Sequence, residues 1–536
     1  MTDTRYARCV VALTILMGSV LALWAVLTPG FRAPDEPQHF NSVMRVATGG
    51  GWPAPGEALL SDATLIATRE AGFTRPDQPV RLLTASLLPR GELRGHGLEF
   101  AELTPLPDSE RSVLDHLADL QDDVAPTVDQ MTQHPPGYYW LAAGVVRALG
   151  ALDWRWDQQL LLLRLLNCAI GMAAVPLVAA TTRALTGSAV VGLVAATTLL
   201  GVGQLAHIGS AVTNDTMTVV LGLAATWAAA RALSGRRTLR LAVGAGALLG
   251  LGLLTKGFLL PAIPMVALAF AVPVRIPPAG GRGRDLLTAF AAMATAFAVG
   301  GWWWLRTLLT YGSLQPDGLG RTADPPAGFE PSLAEFLPEA LRRLNGSFWG
   351  NFGWLEIPLP SWVTFALGAT LALLVLAAPL LARRHRLPIL VLLTFPAAAG
   401  GIVLLGAYRA YSDTGTFPGL QGRYLFATLA VLLAAAALSA VTAARRWAPR
   451  PLAAGLPVVT LALALAVAAL SIVTMLQAAY QPYDESLLDA VVRWEAWSPL
   501  YRPAIAALVT APALLAATVL ALLVRSARAP APPDPL

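Results

Sequence analysis

The sequence predicts an all-α polytopic membrane protein with about twelve transmembrane helices, cytoplasmic termini and one long first extracytoplasmic loop. Three observations carry this. Apolar residues make up 55% of the 536 residues and charged ones 13%, with a mean hydropathy of +0.58, whereas a soluble domain carries about 25% charge. Apolar runs of about 20 residues, the length that spans a hydrocarbon core, recur along the chain. The arginines collect in alternate short loops between those runs, as basic residues do on the cytoplasmic side.

The first run, 9–28, follows Arg5 and Arg8 and passes into Thr28-Pro29-Gly30-Phe31 with no small-residue cleavage site. It reads as a retained signal anchor. Further spans are expected over 160–182, 188–207, 216–234, 238–254, 257–273, 286–305, 361–382, 388–407, 422–443, 452–477 and 503–524. A thirteenth apolar stretch, Tyr138 to Leu152, offers about 14 helical positions, which cover about 21 Å of a roughly 30 Å core. Charge decides its status. With twelve spans the cytoplasmic segments hold eighteen arginines against three acids, Asp3, Asp285 and Asp534. A thirteenth span would turn the later ones outward, so 138–152 is expected as a juxtamembrane helix at the outer face.

The first outer loop then runs over 29–159. Its part from Pro29 to Pro135 has 16 Asp+Glu and 8 Arg, net 8 − 16 = −8. Proline and glycine punctuation with short amphipathic pieces such as Val113 to Leu120 predicts short helices and turns. A second large outer loop covers 306–360, and shorter ones 408–421 and 478–502. Residues 1–524 form one transmembrane domain without repeats, and the proline-rich end of 525–536 predicts a disordered cytoplasmic tail. Cys9 and Cys168 both lie in apolar runs, which gives neither a disulfide framework nor a thiolate metal site. The formal charge of +5 comes from loop arginines and reports topology, not nucleic acid. Of 38 basic residues only Lys256 is lysine.

On this topology Asp35, Glu36, His39, His134, Arg164, His207, Asn214, Asp215, Lys256, Arg306, Tyr311, Glu356, Arg409 and Arg423 all fall in outer loops or outer turns of spans. Asp35 and Glu36 lie at the mouth of the first span. Each can take a proton from a hydroxyl or hold a cation, or simply form a solvated turn that caps the next helix. His134 can orient a phosphate or a carboxylate, while Tyr139 and Trp140 beside it suit an interfacial anchor. Arg164, Lys256, Arg306 and Arg423 each mark where a span begins or ends. Singly they read as snorkelling ends, and together as a ring for phosphate. Asn214-Asp215 lies at the same level, where a helix cap is the plain alternative. The aromatics of 302–304 and 348–354 fit an interfacial belt, a sugar-stacking surface or an isoprenoid groove.

Several motifs, in this order, resemble the C-type (GT-C) glycosyltransferases, integral membrane enzymes that use polyprenyl-phosphate sugars. They are Pro34-Asp35-Glu36-Pro37-Gln38-His39, His134-Pro135-Pro136, Thr213-Asn214-Asp215, Leu254-Thr255-Lys256, Trp303-Trp304-Leu305-Arg306 with Tyr311-Gly312, Phe348-Trp349-Gly350-Asn351-Phe352-Gly353-Trp354, and Gln421-Gly422-Arg423-Tyr424. More closely, the chain resembles a bacterial membrane-protein family catalogued as a domain of unknown function, DUF2142.

The resemblance implies a GT-C-like fold and transfer of a sugar from a polyprenyl-phosphate donor to a glycan, lipid or protein acceptor. The reaction would run on the outer face of the cytoplasmic membrane, with inversion. Asp35 would be the base, supported by Glu36 or Asp215. His39, His134, Arg164, Asn214, Asp215, Lys256, Arg306, Tyr311 and Arg423 would hold substrate and phosphate. The cofactor stays open, with a divalent cation on Asp35 and Asp215 as the candidate; the other partners are membrane lipids. A transporter or lipid flippase is the main alternative, and a scaffold with a degenerate site a second. A transporter would set ionisable groups near the bilayer midplane and carry internal repeats.

Overall fold

The computed structural model describes residues 2–73, 103–114, 127–272, 281–316, 318, 325–481 and 485–528. Helix α1 (Asp3–Leu27) starts where the Thr2 hydroxyl accepts the Arg5 amide and ends at Thr28. The first loop folds into α2 (Glu36–Thr48), α3 (Asp62–Glu70) and α4 (Gly137–Ala148). α4 is 12 residues long, about 18 Å at 1.5 Å per residue, too short to cross a hydrocarbon core. It buries Tyr138, Tyr139, Ala142, Ala143 and Val146 among Phe31, Phe40, Val43, Met44 and Trp156, and exposes Trp140 and Leu141. Its length is short of a span, as expected of 138–152.

The bundle continues with α5 (Trp156–Gly171), α6 (Ala174–Thr186), α7 (Ala189–Leu199), α8 (Gly203–Gly209), α9 (Asp215–Leu233), α10 (Leu239–Leu253), α11 (Ala262–Ala271) and α12 (Gly281–Ala296). A π-helical turn at 297–301 leads into α13 (Trp302–Tyr311). The second large loop supplies α14 (Leu333–Trp349) and a hairpin of β1 (Asn351–Phe352) on β2 (Ile357–Pro358), paired antiparallel with Phe352 opposite Ile357. Then come α15 (Ser361–Leu381), α16 (Arg386–Thr414), α17 (Leu429–Trp447), α18 (Arg450–Tyr480), α19 (Leu487–Trp497) and α20 (Arg502–Arg528).

Each of the twelve expected spans is a helix or a helix pair. Among the described residues nine segments are long and apolar enough to cross a membrane. A tenth is the pair α7–α8, bent by 69°, and Leu239–Leu253 and Gly257–Ala271 are shorter. The chain is therefore a multi-pass membrane protein. α10 and α12 lie close because their contact is made of small residues. A Cβ on Gly250 would come within 2.8 Å of the Ala296 carbonyl. α20 carries the chain as helix through Arg528, three residues past Arg525 where the tail was expected to begin. Residues 529–536 and 115–120 of the amphipathic piece Val113 to Leu120 lie outside the described residues.

Two spans are central. The segments Asp215–Leu233 and Gly422–Trp447 are 72% and 78% buried within the protein, against 11% for Arg502–Ala527. The central pair begin at Asp215 and Gly422, next to Arg423. A buried helix start must find partners for its polar groups, and the candidate site is built there.

Candidate active site

The two adjacent acids of the first loop face different surroundings. Asp35 precedes α2 in the left-handed conformation, φ 61°, a rare state for a residue with a side chain. Pro37 sits in the first turn, where its missing N–H breaks no helical bond. The turn sends the Glu36 side chain inward, where it is fully buried. Arg164 of α5 clasps it with both edge nitrogens, Nε to Oε1 at 2.8 Å and Nη2 to Oε2 at 2.6 Å, and the Val212 amide donates to Oε1 at 3.0 Å. Arg164 also donates to the carbonyls of Ala25, Thr28 and Pro29 at 2.8, 2.6 and 2.9 Å. These are the orphan acceptors where α1 ends. The pair thus ties α1, α2 and α5 together.

Asp35 keeps 27% of its side chain exposed. Its Oδ2 accepts from Arg423 Nη2 at 2.9 Å, and Gln130 Nε2 lies 3.4 Å from Oδ1. Arg423 Nη1 lies 3.4 Å from Asp215 Oδ2, and Lys256 Nζ donates to Asp215 Oδ1 at 2.6 Å. Asp35, Arg423, Asp215 and Lys256 therefore form a row of alternating charge contributed by the first loop, the start of Gly422–Trp447, the start of α9 and the turn after α10. The backbone holds Arg423 tightly. The Gly422 amide donates to the Ser347 hydroxyl at 2.9 Å, and a Cβ on Gly422 would overlap the Phe348 backbone. The turn carrying Lys256 is fixed where the Gly137 amide donates to the Leu254 carbonyl at 3.0 Å, and Trp304 Nε1 donates to the Leu253 carbonyl at 2.9 Å.

A neutral polar layer adjoins this row. His39 Nδ1 lies 2.8 Å from the Tyr139 hydroxyl and Nε2 3.3 Å from the Thr213 hydroxyl, which accepts the Asp215 amide at 3.2 Å. His134 is buried and its Nδ1 meets no partner among the described residues; Asn214 Nδ2 reaches the Thr255 carbonyl at 3.4 Å while its Oδ1 meets none. Burial pushes both His39 and His134 well below the ordinary 6.5, and nearby Lys256 pushes the same way. Both rings are neutral at physiological pH.

Of the residues singled out from sequence, Asp35, His39, His134, Asn214, Asp215, Lys256 and Arg423 come together. Glu36 and Arg164 adjoin them but are occupied with each other. Arg306 is exposed on α13 and stacks on Trp303 at 5.2 Å; Tyr311 and Arg409 are also exposed. His207 packs between Trp24 and Phe352 near the Thr28 hydroxyl, and Glu356 lies 3.7 Å from Arg32. Sequence reasoning missed three participants. Tyr139 read as an interfacial anchor, yet it is fully buried on His39. Thr213 lay inside a quoted motif without a role. Gln130 carried no signal, being one polar residue in a polar loop.

A divalent cation needs several free oxygen donors around it. Here a guanidinium joins Asp35 to Asp215, and Lys256 takes the other oxygen of Asp215. No group of three or more His, Cys, Asp or Glu suited to a metal occurs among the described residues. The arrangement does not fit a divalent cation, and no step is assigned to one.

ArnT from Cupriavidus metallidurans bound to undecaprenyl phosphate matches at 13% identity with a TM-score of 0.46, over 98% of this chain and 78% of that one. The Archaeoglobus fulgidus oligosaccharyltransferase tethered to an acceptor peptide matches at 14% identity with a TM-score of 0.40, over 89% of this chain and 56% of that one. No curated protein matches the chain. The model of the predicted membrane proteins DUF2142 matches residues 19–433, most of the chain and every residue of the charged row, and the protein belongs to that family.

Proposed function

We propose that the protein is a GT-C-type membrane glycosyltransferase. It moves a sugar from a polyprenyl-phosphate donor to a cell-envelope glycan, lipid or protein acceptor on the outer face of the cytoplasmic membrane. The observation that carries the reading is the alternating row Asp35–Arg423–Asp215–Lys256. It offers one partly exposed carboxylate beside two buried cations, all at helix ends. A transporter would be expected to set such groups near the bilayer midplane between internal repeats, and the sequence carries no repeat.

In the reaction the acceptor oxygen attacks the anomeric carbon as the bond from that carbon to the phosphate oxygen breaks. The acceptor proton passes to Asp35, the electron pair leaves on the lipid phosphate, and a single displacement inverts the centre. Charge grows on the phosphate, so cations there lower the barrier. Lys256 and Arg423 take that role, and His134 and Asn214, each with a side-chain atom unpartnered among the described residues, supply further polar groups beside them. Glu36 and Arg164 are positioning residues. Their pair fixes the turn from which Asp35 projects.

The test is mass spectrometry of lipid-linked sugars and envelope glycans from cells with and without the gene, and with Asp35→Asn. The reading requires loss of one product class and build-up of its lipid-linked precursor in both altered strains. Identical profiles in all three would overturn it.

A further inference from the structure

The charged row has an unused edge. A guanidinium presents two forked edges, and the one formed by Nε and Nη2 suits two oxygens of a carboxylate or phosphate. Arg164 uses this edge to clasp both oxygens of Glu36. Arg423 uses it only in part. Nη2 is bound to Asp35, while Nε is buried and has no well-aligned hydrogen-bond partner among the described residues, with the Tyr424 side chain interacting with the same guanidinium. Arg423 as a whole is only 5% exposed, so an unpaired N–H there is a standing cost that a ligand would remove.

We propose that Arg423 is a latch shared between the base and the donor: a phosphate-headed lipid seated on its Nε/Nη2 edge takes Nη2 from Asp35 and so releases that carboxylate. The inference rests on the glycosyltransferase reading and adds an order of events to it. Of the two carboxylates on Arg423, Asp35 is the one that yields. Asp215 is 7% exposed at its side chain and is held by Lys256 at 2.6 Å. Asp35 is 27% exposed, and its other oxygen has only Gln130 at 3.4 Å. While Nη2 holds Oδ2, that lone pair is closed to an acceptor proton. Once phosphate sits on the fork, Oδ2 is open at the mouth of the site and Arg423 already faces the leaving group. Donor binding and release of Oδ2 become one event, so the base is freed of its cation when a donor is present.

The experiment is a double-mutant cycle on the full chain in detergent, with farnesyl phosphate as probe and farnesol as its phosphate-free control. Asp35→Asn removes the competing carboxylate and is expected to tighten farnesyl phosphate binding by about 1.5- to fivefold, the range of one partly exposed charge-assisted contact. Asp35→Ser is expected to do the same and covers a failure of the first variant to fold. In the Arg423→Lys background the gain disappears, because an ammonium has no second edge to share. Wild-type protein that binds farnesyl phosphate over farnesol, but without tightening in either Asp35 variant, overturns the latch and leaves the phosphate site standing. A gain that persists in Arg423→Lys also overturns it, since simple removal of a negative charge would then suffice. Wild-type protein that binds the two probes alike overturns both the latch and the function beneath it.

Discussion

Asp35 and Glu36 are neighbours in sequence with opposite expected behaviour when neutralised. Glu36→Gln leaves Arg164 charged in a site where its side chain is 5% exposed. It removes the charge partner from two hydrogen bonds of 2.8 and 2.6 Å. Removing one member of a buried pair costs about 3–5 kcal/mol, because the other charge stays buried and uncompensated. Asp35→Asn removes the charge from a side chain that water reaches but keeps an oxygen able to accept the 2.9 Å bond, and Arg423 keeps Asp215 at 3.4 Å, so the loss is about 0.2–1 kcal/mol. The native cysteines provide the assay. Cys9 and Cys168 are free and buried, so a thiol-reactive dye reports unfolding on heating. Glu36→Gln should lower the apparent midpoint by several degrees, while Asp35→Asn stays within experimental scatter of the wild type. Equal midpoints for the two variants would refute the assignment of Glu36 to structure and Asp35 to chemistry.

Four further outcomes follow from the geometry. Asp35→Asn should cut sugar transfer by about 10²- to 10⁴-fold, the usual contribution of a general base, in a radiolabelled transfer assay on folded protein. Lys256→Ala should raise the KM for the lipid donor with little change in that for the acceptor; unchanged dependence on donor concentration would remove Lys256 from the phosphate site. Gly422→Ala should cost about 1–3 kcal/mol by overpacking and lower activity further by moving Arg423, seen as a lower midpoint together with a lower transfer rate. Acid should destabilise the protein through His39 and His134. Both are held well below 6.5 when folded, so the unfolded chain binds more protons once pH falls through about 6.5, and stability drops by up to about 1.4 kcal/mol per histidine per pH unit. Melting at pH 7.5, 6.5 and 5.5 measures this, and replacing either histidine with glutamine should flatten the profile.

Much of the fold was legible because its signals are local. An apolar run of span length announces a membrane helix wherever the rest of the chain goes, and each of the twelve expected spans is a helix or a helix pair. The short span-like piece at 138–152 was set apart by the arginine count of the later loops, and α4 ends after 12 residues. The set of polar residues worth watching was legible too, since ionisable groups at the ends of apolar runs need a reason to be there.

The division of labour within that set was not legible. Asp35 and Glu36 are adjacent acids between two prolines, and only the left-handed turn at Asp35 sends one carboxylate to a buried arginine 128 residues away and the other to an arginine 388 residues away. Arg164, Arg306 and Arg423 each stood where a span begins or ends, but one is saturated by carbonyls and Glu36, one is exposed on Trp303, and one bridges two acids. The sequence by itself determined an all-helical membrane chain and the residues from which a site could be made, because hydrophobic length and charge are properties of short segments. The tertiary structure alone decided which charges pair, which are buried and which keep an open edge, because those depend on distances between segments far apart in the chain.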